Sequence, residues 1–117
     1  MDRWLRATVN SWNGLMAATR SEQAFRQELL ALLFAVPLAF VIAEDTWKRL
    51  ALIAAVLFLV VVELLNTAIE KLADHVTPVR HPGIGRIKDM GSAAVGVALL
   101  LAAAVWLVAI AERLAIL

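Results

Sequence analysis

The sequence predicts an all-α integral membrane protein: three transmembrane helices, preceded by an N-terminal amphipathic helix lying on the membrane surface. Three observations carry that reading. The chain has 117 residues and is 62% hydrophobic, too apolar for an ordinary soluble fold. Its apolar residues fall into three long runs, Leu29–Ala43, Leu50–Val62 and Gly91–Ala111. Ahead of them stands a segment whose apolar and charged residues separate at helical spacing. One domain, residues 1–117, is expected. No cysteine is present, so disulfides are excluded and the redox compartment stays open. The net charge of +1 gives no basic footprint, and no nucleic-acid partner is expected. The charged, amphipathic N-terminus does not resemble a cleavable signal peptide.

Residues 3–20 read as the surface helix. Trp4, Leu5, Thr8, Val9, Trp12, Leu15 and Met16 fall within about 140° of one another at about 100° per residue. Arg3, Arg6, Asn10, Asn13 and Arg20 take the other side. Tryptophan suits the headgroup layer; the same face would also suit packing on protein, and the sequence favours neither. Ser21, with Glu22 in the first turn behind it, suits the cap of the next helix.

The first span, about residues 24–43, has a fifteen-residue apolar run and must borrow length from Ala24–Glu28, since a span needs about 20 residues. Pro37 lies inside it and is expected to kink it. Glu44–Arg49 reads as a tight connection with Trp47 at interfacial depth. The second span, about 50–74, continues from thirteen apolar residues into a polar-faced extension without a turn signal. His75–Arg86 reads as a loop containing Pro78, Pro82 and Gly83. The third span, about 90–111, qualifies on length alone. Its opening, Ile87–Ala94, is rich in small residues that let a neighbouring helix come close.

Lys and Arg set the orientation. With the N-terminus inside, eight lie on the cytoplasmic side and three, Lys48, Arg49 and Arg113, on the other; this excess favours a cytoplasmic N-terminus. A chain this small has little interior, so polar faces require protein neighbours, and assembly with further copies is expected.

The second helix carries the chemistry. Taking Glu63 as zero, Asn66 falls at about −60°, Glu70 at about −20° and Asp74 at about +20° around the helix axis. Four polar groups therefore share an arc of about 80°. A helix leaving the membrane and turning amphipathic would explain such a face without chemistry. Glu63, however, lies where the apolar run has not ended, and an ionisable residue inside a span reads first as functional. Carboxylates at a membrane edge suit Mg²⁺, which takes one or two of them and completes its shell with phosphates and water. Phosphoryl transfer also needs a base or orienting residue for the attacking hydroxyl. The seven-residue separation of Glu63 and Glu70, about 10 Å along the axis, leaves room for a transferring group. No soluble-kinase signature is present. On spacing alone, a membrane phosphotransferase ranks only slightly above a proton-coupled exporter.

Glu63-Leu-Leu-Asn66-Thr67-Ala68-Ile69-Glu70 with Asp74, followed by Lys88-Asp89-Met90-Gly91-Ser92-Ala93-Ala94-Val95, resembles the prokaryotic diacylglycerol kinase family. Ala24–Glu28 and Ser11-Trp12 resemble the N-terminal region of its Gram-negative branch. The resemblance covers nearly the whole chain. It implies a homotrimer of three-span subunits in the bacterial inner membrane, phosphorylating diacylglycerol to phosphatidate with ATP and Mg²⁺. On the same scaffold, undecaprenol kinase is the nearest alternative.

By resemblance, Glu63 is the base that draws the proton from the lipid hydroxyl, with Asn66 and Asp74 near the catalytic centre. Glu22 and Glu70 are implied to hold the metal with ATP, and Lys88 and Asp89 to line the nucleotide site. Asn10, Val79, Arg80 and His81 are carried as nucleotide-proximal. Arg3, Ser11, Trp12, Glu28, Glu63, Arg49, Ser92 and Trp106 match positions along the lipid site, and Arg3 is implied to reach ATP as well. The chain departs from the pattern at Asn10 and Asn13, where a member of the family has Tyr and Lys. It departs again at Val79-Arg80-His81, where an acidic, aromatic loop is expected. His81 alone is most simply a solvated loop histidine.

Overall fold

The computed structural model describes residues 2–77, 79 and 81–115. These form four helices: α1 (Arg3–Ser21), α2 (Gln23–Ile42), α3 (Thr46–Val76) and α4 (Pro82–Arg113). The last three are each long and apolar enough to cross a membrane. At about 1.5 Å per residue, α3 and α4 are each about 45–48 Å long, close to the 52 Å longest extent of the molecule.

α3 is the central element, packed on α2 along one side and on α4 along another. The pairings between α3 and α4 run in opposite directions along the two helices. Lys48 is ion-paired with Glu112, and Trp106 Nε1 donates to the Leu52 carbonyl at 3.0 Å. Gly91 lies against Asn66, and Lys88 is ion-paired with Asp74. The two helices are thus antiparallel over their full length. Apolar packing gathers in two separate clusters. One joins Ala18, Phe25 and Val60, with Leu29 and Leu64 against them. The other joins Ala39, Ala43 and Leu52 near the opposite ends of the helices.

The connections are shorter than the sequence suggests. Asp45 caps α3, its carboxylate accepting from the Lys48 N–H at 3.1 Å, so the helix begins at Thr46 and absorbs most of the expected Glu44–Arg49 connection. The expected loop His75–Arg86 is likewise mostly helical. α3 runs on to Val76 and α4 starts at Pro82. Proline suits a first turn, where its missing N–H costs nothing, and His81 Nδ1 accepts from the Gly83 N–H at 3.0 Å.

The α1–α2 junction also differs. Ser21 ends α1 and its hydroxyl donates back to the Ala17 carbonyl at 2.8 Å, so it does not cap α2. Glu22 is the N-cap, without a side-chain cap bond of its own. The break is fastened from the other side: Arg26 donates to the carbonyls of Thr19 at 2.9 Å and Arg20 at 3.2 Å. A guanidinium there satisfies carbonyls that a helix end leaves free. Pro37 lies inside α2, which continues through it to Ile42.

Candidate active site

The polar face of α3 is where the structure concentrates its buried chemistry. Glu63 and Asn66 are each 8% exposed and Thr67 is 4% exposed, deep in a helix whose other buried residues are apolar. Asn66 Nδ2 donates to Glu70 Oε1 at 3.3 Å, one turn further along. An ionised carboxylate only accepts, so this bond fixes the amide: its nitrogen faces Glu70 and its oxygen faces away. That oxygen, Asn66 Oδ1, is buried without a conventional hydrogen-bond donor among the described residues and lies against Gly91 of α4.

Two further carboxylates approach from outside α3. Glu22, at the break between α1 and α2, is 3.3 Å from the ammonium of Lys71. Glu28, on α2, has its Oε2 buried without a hydrogen-bond partner among the described residues. Glu63 feels the like charges of Glu70 and Glu22, and Glu28 that of Glu63. Four acids from two helices and one junction thus share one neighbourhood.

Among the described residues no group of three or more His, Cys, Asp or Glu side chains forms a metal cage. Mg²⁺ does not require one, because substrate phosphates and water complete its shell. Carboxylate oxygens gathered on one face are hard donors of the kind it takes. The acids present therefore fit a metal carried in with a nucleotide, and do not fit a self-sufficient metal centre.

A cleft of about 360 Å³ opens beyond the carboxylates, at the α3–α4 connection. Asp74, Val79, His81, Lys88 and Asp89 all line it, which brings together five positions the sequence singles out. Arg80 lies outside the described residues. A second groove, about 480 Å³ and mainly apolar, runs between α1 and α3 with Ser11 on one wall and Lys71 on the other. Trp12, Asn10 and Arg3 are exposed on α1, and the Arg3 guanidinium sits 5.8 Å from the Trp4 ring. Ser92 is exposed on α4 beside Gly91.

Arg49 and Trp106 are not brought to this neighbourhood. Arg49 donates to the Ala43 carbonyl at 2.8 Å and stacks 4.6 Å from the Phe40 ring. Fourteen residues of continuous helix, about 21 Å, separate it from Glu63. Trp106 is held at the same remote end by its bond to Leu52.

Three residues not singled out from sequence belong to the site. Thr67 is buried beside Asn66, Lys71 holds Glu22, and Gly91 meets Asn66. The first two lie inside or next to the α3 motif, and its helical phase was the available signal. Gly91 was visible only as one of several small residues.

A helical protein with three helices long and apolar enough to cross a membrane, a buried carboxylate on one of them, neighbouring acids and a polar cleft at the helix ends has the parts of a membrane-embedded phosphotransferase. Comparison with known proteins carries this further. Residues 9–110 match the prokaryotic diacylglycerol kinase family. The chain is 44% identical over 104 residues to the diacylglycerol kinase of Escherichia coli K12, covering 89% of this chain and 85% of that protein. It is 43% identical over 106 residues to that of Pseudomonas aeruginosa PAO1, covering 91% and 86%. With that of Helicobacter pylori 26695 it shares 38% identity over 104 residues, covering 89% and 81%. The chain belongs to the prokaryotic diacylglycerol kinase family, and so is an enzyme of the kinase class rather than an exporter.

Proposed function

We propose that this protein phosphorylates diacylglycerol to phosphatidate with ATP, at the cytoplasmic face of the inner membrane. The observation that carries the proposal is the burial of Glu63 and Asn66 in a membrane-spanning helix, with Glu70, Glu22 and Glu28 gathered around them. A carboxylate held there is costly, and an ionisable group kept at that cost reads first as functional. The hydroxyl of a diacylglycerol reaches the membrane boundary from the lipid side, whereas ATP reaches it from water. Glu63 lies between these two approaches, and the cleft of Asp74, Lys88 and Asp89 opens on the watery one.

In this reading Glu63 accepts the proton of the lipid hydroxyl as its oxygen bonds to the γ-phosphorus. The bond between that phosphorus and the β,γ-bridging oxygen breaks, ADP leaves, and Glu63 returns its proton to water. Asn66 holds Glu70 through its amide. Glu70 and Glu22 would hold Mg²⁺, which supplies positive charge to the phosphate oxygens when bound. Lys88, pinned by Asp74, keeps a cation in the cleft that suits the nucleotide. α1 lies on the membrane surface with its tryptophans in the headgroup layer, and its groove against α3 receives the lipid backbone. Three copies assemble as a homotrimer with their N-termini in the cytoplasm. The apolar sides that α2 and α4 leave uncovered within one chain meet lipid and the neighbouring copies.

The experiment is transfer of labelled γ-phosphate from ATP in mixed micelles, with diacylglycerol and undecaprenol offered separately. Labelled phosphatidate is the expected product. Label on undecaprenol alone replaces the substrate, and label on neither removes the kinase activity.

A further inference from the structure

A Cβ added to Gly91 would stand well inside 3.0 Å of Asn66 Oδ1, closer than real Cβ atoms come to anything. Gly91 is buried, on the face of α4 that meets α3. Its α-hydrogen occupies the direction a side chain would take, and so points at that oxygen. Cα–H···O contacts recur where two helices come this close. The amide oxygen has no hydrogen-bond donor among the described residues, and the amide nitrogen is bonded to Glu70. Asn66 is thereby held from both ends, by a carboxylate on its own helix and by bare backbone on the next.

We propose that Gly91 is a positioning residue: the absence of a side chain there sets the orientation of Asn66, and through Asn66 that of Glu70. The inference rests on the phosphotransfer reading for its kinetic consequence, but not for its structural one. Lys88 lies one turn earlier on α4 and pairs with Asp74, so the same stretch of helix that lines the cleft also braces the amide. A movement of α4 at the cleft would therefore be transmitted to Asn66.

The test compares Gly91→Ala, Asn66→Ala and the double variant, each as full-length protein in micelles. The first readout is the side-chain amide signal of Asn66 by ¹⁵N NMR, identified by its loss in Asn66→Ala. It should shift in Gly91→Ala. The second is kinetic: kcat should fall about tenfold or more in Gly91→Ala, with the KM for ATP within about twofold of wild type. Added to Asn66→Ala, the same substitution should cost less than about twofold, since its target is already gone. An unmoved Asn66 signal overturns the proposal, as does an equal loss in both backgrounds. If Gly91→Ala alone does not assemble, the double variant decides. Its assembly supports the contact, because shortening Asn66 makes room for the Cβ, and its failure places the obstruction elsewhere. Absence of lipid-dependent turnover in the wild type would instead remove the proposed function, leaving the NMR comparison to decide the role of Gly91.

Discussion

Lys71 of α3 and Glu22 of the α1–α2 junction stand 3.3 Å apart, with side chains 53% and 31% exposed. The pair brings an acid from the early part of the chain to the polar face of the central helix. Exposed pairs of this kind contribute at most about 1 kcal/mol, so its importance lies in placement. Lys71→Ala should shift the thermal unfolding midpoint little, while raising the Mg²⁺ concentration for half-maximal activity because Glu22 is no longer held. A Mg²⁺ titration on the purified variant checks this; a wild-type curve would detach Lys71 from the site.

Removing the proton acceptor should be far more costly. Glu63→Gln keeps the shape of the side chain and its burial but cannot take the hydroxyl proton. Turnover is expected to fall by about 10² or more, with ATP affinity little changed. Steady-state rates and nucleotide binding, measured on protein shown to be assembled, separate the two effects.

Glu22→Gln and Glu70→Gln each remove one hard oxygen donor, and each should raise the Mg²⁺ requirement. Glu70→Gln should have the larger effect on turnover at saturating Mg²⁺, because it also changes the bond to Asn66. Unaltered titrations in both variants would make these carboxylates structural.

Trp12 is exposed on α1, on the helix that walls the apolar groove with Ser11. Trp12→Ala should raise the apparent KM for lipid more than that for ATP, since it loosens one substrate only. Varying each substrate in turn measures this, and a raised ATP KM with an unchanged lipid KM would move α1 away from the lipid.

Cross-linking in detergent should give a ladder that ends at three copies. A ladder ending at two, in an active preparation, would count against the homotrimer.

The amino-acid sequence alone determined the helical class, the three helices long and apolar enough to cross a membrane and the phase of the α3 face, because each follows from apolar run length and a rotation of about 100° per residue. Glu63, Asn66 and Glu70 could be named on that basis before any packing was known. Helix ends were less legible. Caps such as Asp45 and His81 act through single hydrogen bonds, and loop composition at Pro82 and Gly83 masked a helix start. Tertiary structure alone decided which distant residues join α3. Glu22 and Glu28 reach it because Arg26 ties off α1 and Phe25 is buried where α1, α2 and α3 meet. Arg49 and Trp106 stay at the remote end because a continuous helix cannot fold back on itself. Gly91 was hidden among other small residues of α4. Small size permits close approach in any direction, and only the antiparallel register of α3 and α4 determines that this glycine, and not its neighbours, meets Asn66.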